Sequence, residues 1–166
     1  MLKPSEVGAA FTRKEAENWA FRTYLKNHAD PDQLDEQFHL LHDELFAQYD
    51  CSQCRNCCKQ LVASIEEDEI SPAAALLGLS DAEFKARYLK EESGEYIFTT
   101  KPCCFLDTED NCMIEPCMPE SCRNYPYTNK PDRVFSLINT IESTSICPVV
   151  FEMIERLKKL YHWRER

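Results

Sequence analysis

The sequence predicts a mainly α protein with a few short strands, in which an N-terminal helical hairpin precedes a small, irregular cysteine-cluster domain stabilised by metal. Three observations predict this. Residues 1–50 carry helical apolar stripes and no cysteine. Nine of the ten cysteines fall between 51 and 122, among short elements and turns. The chain has 166 residues, 43% of them apolar and 29% charged, which suits about one globular domain with an appendage. The expected division is 1–50, a helical extension packing on the core, and 51–166, a metal-binding domain closed by a C-terminal helix.

Each element has a local warrant. Thr12 and Glu15 have capping-box spacing, and Ala16, Trp19, Ala20 and Tyr24 follow on one side of a first helix. Asp30-Pro31 reads as an N-cap with proline at the first helical position. Behind it Leu34, Phe38, Leu41, Leu45 and Tyr49 form an apolar stripe. Leu61-Val62-Ala63 is a candidate strand. Ser71-Pro72 opens a short helix that Gly78 stops. Ser80 and Glu83 cap another, whose buried side is Phe84, Tyr88 and Leu89. Glu95 to Thr99 and Arg133 to Leu137 read as extended, and Asp107 to Asn111 as a polar turn. After Cys147-Pro148, a last amphipathic helix carries Val150, Met153, Ile154, Leu157 and Tyr161.

Charge and cysteine use narrow the function classes. Nineteen Lys and Arg against 29 Asp and Glu leave a net charge of −10. A nucleic-acid binder draws most of its affinity from a basic face, so nucleic acid and anionic membranes are excluded as expected partners. The first residues lack the apolar run of a secretory leader, and no stretch approaches the length of a membrane span. The expected location is cytoplasmic, where cysteines remain thiols rather than disulfides. Vicinal pairs such as Cys57–Cys58 and Cys103–Cys104 also suit simple disulfide pairing poorly.

Cys51-Ser-Gln-Cys54-Arg-Asn-Cys57-Cys58 is the strongest motif. Cysteines three positions apart on a tight turn bring two sulfurs to one metal, the spacing of many zinc and iron–sulfur sites. Cys147-Pro148 is a remote candidate ligand, and the turn at 107–111 is expected to fold Cys103 and Cys112 together. Neighbouring residues rarely hold one ion, because successive side chains diverge. At least one metal is therefore expected to take cysteines from both the 51–58 segment and the region beyond 100, through Cys51 or Cys54. Four thiolates on a divalent ion leave a double negative charge, which Arg55, Lys59 and Arg123 stand in sequence to offset. His28, His39, His42 and His162 lie on expected helices away from the cysteines and read as solvated positions.

The chain resembles the CxxCxxCC proteins, or YkgJ-like cysteine-cluster proteins, a family described by zinc or iron chelation. The resemblance covers about 51–126 and rests on the octet at 51–58 with Lys59, Glu69-Ile70, Leu77 to Ser80, Cys103-Cys104-Phe105-Leu106, Cys112-Met113-Ile114, and Pro119 to Pro126. A late Cys-Pro fits Cys147-Pro148. The chain departs from that pattern at Arg55-Asn56, where the family has Gly before its double cysteine, at Glu115 in place of Tyr, and at Met118 in place of Arg. Asn56 is the residue expected to take the left-handed backbone of the missing glycine.

The resemblance implies eight metal ligands: Cys51, Cys54, Cys57, Cys58, Cys103, Cys112, Cys122 and Cys147. Cys104 and Cys117 are additional to the pattern. The expected function is chelation of zinc or iron, an iron–sulfur cluster included, with no catalytic activity of its own. Two alternatives stand beside it. One is an iron–sulfur redox protein or a component of a protein-modification enzyme system. The other is a structural zinc module whose N-terminal helices contact a protein partner.

Overall fold

The structure, a computed structural model, describes residues 1–164. In chain order the helices are α1 (Pro4–His28), α2 (Pro31–Phe46), α3 (Cys51–Cys54), α4 (Asn56–Gln60) and α5 (Glu67–Leu76). They continue as α6 (Asp81–Tyr88), α7 (Glu120–Asn124), α8 (Leu137–Ser143) and α9 (Pro148–Leu160). The strands are β1 (Ser64–Ile65), β2 (Leu89–Glu92) and β3 (Glu95–Phe98). The fold class is therefore mainly α with short strands. Two compact units divide the chain: Met1–Cys51 with Pro126–Arg166, and Ser52–Tyr125. Residues 126–166, continuous with the cysteine segment in sequence, group with the N-terminal helices.

In the first unit, α1 begins eight residues before Thr12. Pro4 occupies its first turn and the Glu6 carboxylate accepts the Lys3 N–H at 2.9 Å. Thr12 lies inside the helix and returns its hydroxyl to the Gly8 carbonyl. A proline at the start and a reaching glutamate open this helix without Ser, Thr, Asp or Asn at the cap. The second helix starts as expected, with Asp30 Oδ1 accepting the Gln33 N–H at 3.0 Å. Leu34, Phe38, Leu41 and Leu45 are buried, while the helix stops at Phe46, short of Tyr49. The C-terminal stripe forms α9 and buries Val150, Met153, Ile154 and Leu157.

Arg133 to Leu137 is not extended. Arg133–Phe135 is a 3-10 turn and Leu137 opens α8. Asp35 of α2 accepts the N–H groups of Asp132 and Arg133 at 2.7 and 2.8 Å. The buried Arg133 guanidinium donates to the Tyr127 carbonyl and the Ser136 hydroxyl. A carboxylate nearly a hundred residues away thus overrides the local β propensity of Val134 and Phe135.

The second unit contains an antiparallel sheet in the order β1-β3-β2. Leu89 pairs with Phe98 and Glu92 with Glu95. The two residues between, Ser93 and Gly94, have φ of 56° and 85°, the left-handed pair that a tight hairpin requires. The first strand lies just past its expected position, at 64–65 rather than 61–63. Burial decides the register: Ile65 is enclosed, whereas Val62 is exposed. The fifth helix starts at Glu67 rather than at Ser71-Pro72, because Glu66 and Glu69 form a reciprocal cap and leave Pro72 inside. Gly78 follows its end at φ 69°, and Ser80 caps α6 as expected.

Ile65, Ile70, Ala73, Phe84, Phe98, Phe105 and Ile114 form the core of this unit. Phe105 is fully enclosed, its ring 4.9 Å from Tyr88, 5.1 Å from Phe98 and 5.8 Å from Phe84, centroid to centroid. Among the described residues, no single helix is long and apolar enough to cross a membrane.

The first unit also buries a charge. Lys158 of α9 is 5% exposed, and its ammonium donates to Glu17 at 2.9 Å, Asn18 at 2.6 Å and Glu155 at 2.7 Å. All three ammonium protons are thereby used. Partial burial opposes ionisation of Glu17, but hydrogen bonds from Lys14 and Lys158 prevail and hold its carboxyl below the usual value. Replacing Lys158 with Ala is expected to cost about 1.5–3 kcal/mol in urea unfolding at neutral pH. Glu17 contributes stability above its unfolded pKa and loses it as pH falls through the lower folded value. The gap between wild type and variant should therefore narrow below about pH 4.

Candidate metal centre

Four separate pieces of the second unit carry cysteines that influence one another's charge. Cys58 lies on α4, Cys103 in the segment after β3, Cys112 just past the Asp107 turn, and Cys122 on α7. The Cys103 N–H donates to the Cys58 carbonyl at 2.8 Å, so the motif helix and the later segment touch through backbone. The Asp107 carboxylate accepts the N–H groups of Glu109 and Asn111 at 2.8 and 2.9 Å, closing the polar turn. Leu106 and Cys112 then pair as an antiparallel bridge, and the Met113 N–H reaches the Phe105 carbonyl at 2.8 Å. Cys122 is carried on a helix fastened twice: the Ser121 hydroxyl donates to the Ser64 carbonyl, and Glu69 accepts the Glu120 N–H at 2.7 Å.

These four thiols interact electrostatically in all six pairwise combinations. Burial pushes Cys122 up to about 11 and raises Cys112. Cys58 is also raised, first by its contact with Cys57, whose sulfur lies 4.0 Å away, and then by burial. Cys103 moves the other way, because Cys104 donates a hydrogen bond to its sulfur and outweighs burial. The same bond holds the proton on Cys104.

A cation, Arg55, acts on this group. Arg55 opposes the upward shifts of Cys58 and Cys112, while its side chain, 7% exposed, bonds Glu115 at 2.8 Å. Arg55, not Asn56, takes the left-handed backbone, at φ 47°. Arg55, one residue before the glycine position of the resembled pattern, thus pairs with Glu115, which stands in place of that pattern's tyrosine. Lys59 and Arg123 face carboxylates instead, Asp110 at 2.5 Å and Glu69 at 3.4 Å.

The other expected ligands are carried as follows. Cys54 ends α3, and Cys57 touches Cys58. Cys51 and Cys147 belong to the first unit, Cys51 exposed and Cys147 buried at the start of α9. The 51–58 segment and the region beyond 100 touch through the Cys58 carbonyl and the Cys103 N–H. Cys104, set apart in the sequence as an extra, is the hydrogen-bond partner of Cys103, and only its vicinal position signals this. Among the described residues, no three Cys, His, Asp or Glu side chains form a ready-made metal cage. The donor chemistry nevertheless fits a zinc or iron ion: four sulfurs on separate elements, no vicinal pair needed, and a cation beside them.

In the metal-free protein near neutral pH, iodoacetamide should label Cys103 ahead of Cys122. The lowered Cys103 populates thiolate first, whereas Cys122 remains protonated. Peptide mass spectrometry over a short time course reads the order, and preferential labelling of Cys122 would contradict it.

No curated protein and no solved structure matches the chain. The family model "CxxCxxCC: Putative zinc- or iron-chelating domain" matches residues 50–148. That span holds all ten cysteines, the four electrostatically coupled thiols among them. The chain belongs to the CxxCxxCC family.

Proposed function

We propose that this protein chelates one zinc or iron ion through the thiolates of Cys58, Cys103, Cys112 and Cys122. The observation that carries the reading is the electrostatic coupling of these four half-buried thiols in every pairwise combination. Zinc is satisfied by four thiolates in a tetrahedron, an arrangement in which every ligand neighbours every other. The set takes one member from each vicinal pair, which avoids forcing adjacent side chains onto one ion. Binding releases the thiol protons, so affinity rises with pH. Cys51, Cys54, Cys57 and Cys147 are further ligand candidates on their spacing and family pattern.

The ion also supplies folding free energy. The core around Phe105 is small, and the segments from 99 to 126 are held by turns rather than by long elements. Metal drawn between α4, α7 and the Asp107 loop ties those turns together.

Purified anaerobically, the protein should carry stoichiometric zinc or iron by elemental analysis. A colourless zinc form supports simple chelation, whereas broad absorption in the visible would support the iron–sulfur alternative. Cys58→Ser, Cys103→Ser, Cys112→Ser and Cys122→Ser should each lower bound metal about 10-fold or more, while Cys117→Ser leaves it nearly intact. Equal losses in all five variants would refute the assignment.

Stripping the metal with a strong chelator should loosen residues 52–125 and spare much of the helix in α1 and α2. Hydrogen exchange resolved by segment checks this, with faster exchange expected in β1–β3 and α4. Unchanged exchange after verified metal removal would contradict it.

A further inference from the structure

Resting on the four-thiolate reading, we propose that Arg55 is a positioning residue of the metal centre, whose guanidinium offsets the net negative charge of a tetrathiolate-bound ion. Three observations converge on it. First, Arg55 has φ 47° and ψ 16°, a backbone region that glycine adopts freely and a long side chain does not. Second, the side chain is 7% exposed, and its Nε is buried with no hydrogen-bond partner. A donor left that way is available to a sulfur that becomes charged. Third, Arg55 is the N-cap residue of α4, which carries Cys58, and its ion-pair partner Glu115 donates its backbone N–H to the Cys112 carbonyl at 3.2 Å, so the pair bridges two elements of the thiol group.

The pairing with Glu115 does not cancel this effect. Glu115 is 55% exposed, so water screens its charge, while the guanidinium faces the interior. Glu115 holds Arg55 in place, leaving the positive end of the pair inward. Zinc binding releases the protons still held by the four sulfurs to solvent and leaves a four-thiolate complex of charge −2. An adjacent buried cation lowers the electrostatic cost of that state and does little for the neutral thiols.

Zinc affinity of the full-length chain, measured by competition with a chromophoric chelator across a pH series, tests this. Arg55→Gly removes the cation while suiting the left-handed backbone, and Arg55→Gln removes it at similar bulk. Both should bind zinc about 10- to 100-fold more weakly and release it at higher pH, with four thiols still protected at saturation. Arg55→Lys, which keeps a cation, should recover part of the loss. Circular dichroism confirms folding, and Arg55→Gln carries the test if Arg55→Gly does not fold. Unchanged affinity and release pH in the neutral variants would overturn the role of Arg55 while leaving the chelation reading intact. Arg55→Lys as weak as Arg55→Gln would overturn charge as its basis. Wild-type protein that binds no zinc or iron would overturn the chelation reading, and this inference with it.

Discussion

Burial of Phe105 is the constraint on which the cysteine unit depends. Its ring is enclosed by Phe84, Tyr88 and Phe98, so the residues on either side cannot drift without opening the core. Cys103 and Cys104 immediately precede it, and its carbonyl accepts the N–H of Met113, next to Cys112. One aromatic anchor therefore positions cysteines on both arms of the Asp107 turn. Large-to-small changes at such a site remove packing that the surroundings cannot rebuild. The loop itself is exposed and polar, so the fixed geometry of its two ends comes from the ring beneath.

Around that anchor, electrostatics works against the thiols and in favour of an ion. Partial burial raises Cys58, Cys112 and Cys122, because an isolated thiolate loses solvation as it leaves water. A divalent cation reverses this preference, since it neutralises charge where water no longer does. The chain as a whole is strongly acidic, yet a basic side chain, Arg55, acts among these thiols. The family model spans residues 50–148, which include these grouped sulfurs. The helical unit is organised differently, around apolar stripes and the buried Lys158 with its three acceptors.

Short-range physics made much of this legible in the sequence. Asp30-Pro31, Ser80 with Glu83, Gly78 and the Asp107 turn act through neighbours at most a few residues away, and each formed where its local chemistry dictates. Apolar stripes at helical spacing identified α2 and α9 for the same reason. The cysteine order alone pointed to metal chelation, because sulfur spacing is itself the chemistry. Only the tertiary structure decided the rest, wherever the partner is distant in sequence. Asp35 turned 132–135 into a 3-10 turn, Ile65 moved β1 by its need for burial, and residues 126–166 joined the N-terminal helices. The same holds within the candidate site. Spacing pointed to Cys51 and Cys54, and the fold adds electrostatic coupling among Cys58, Cys103, Cys112 and Cys122 and sets Arg55 against Glu115, 60 residues on. Sulfurs and charges meet through space, and packing around Phe105 determines which of them do.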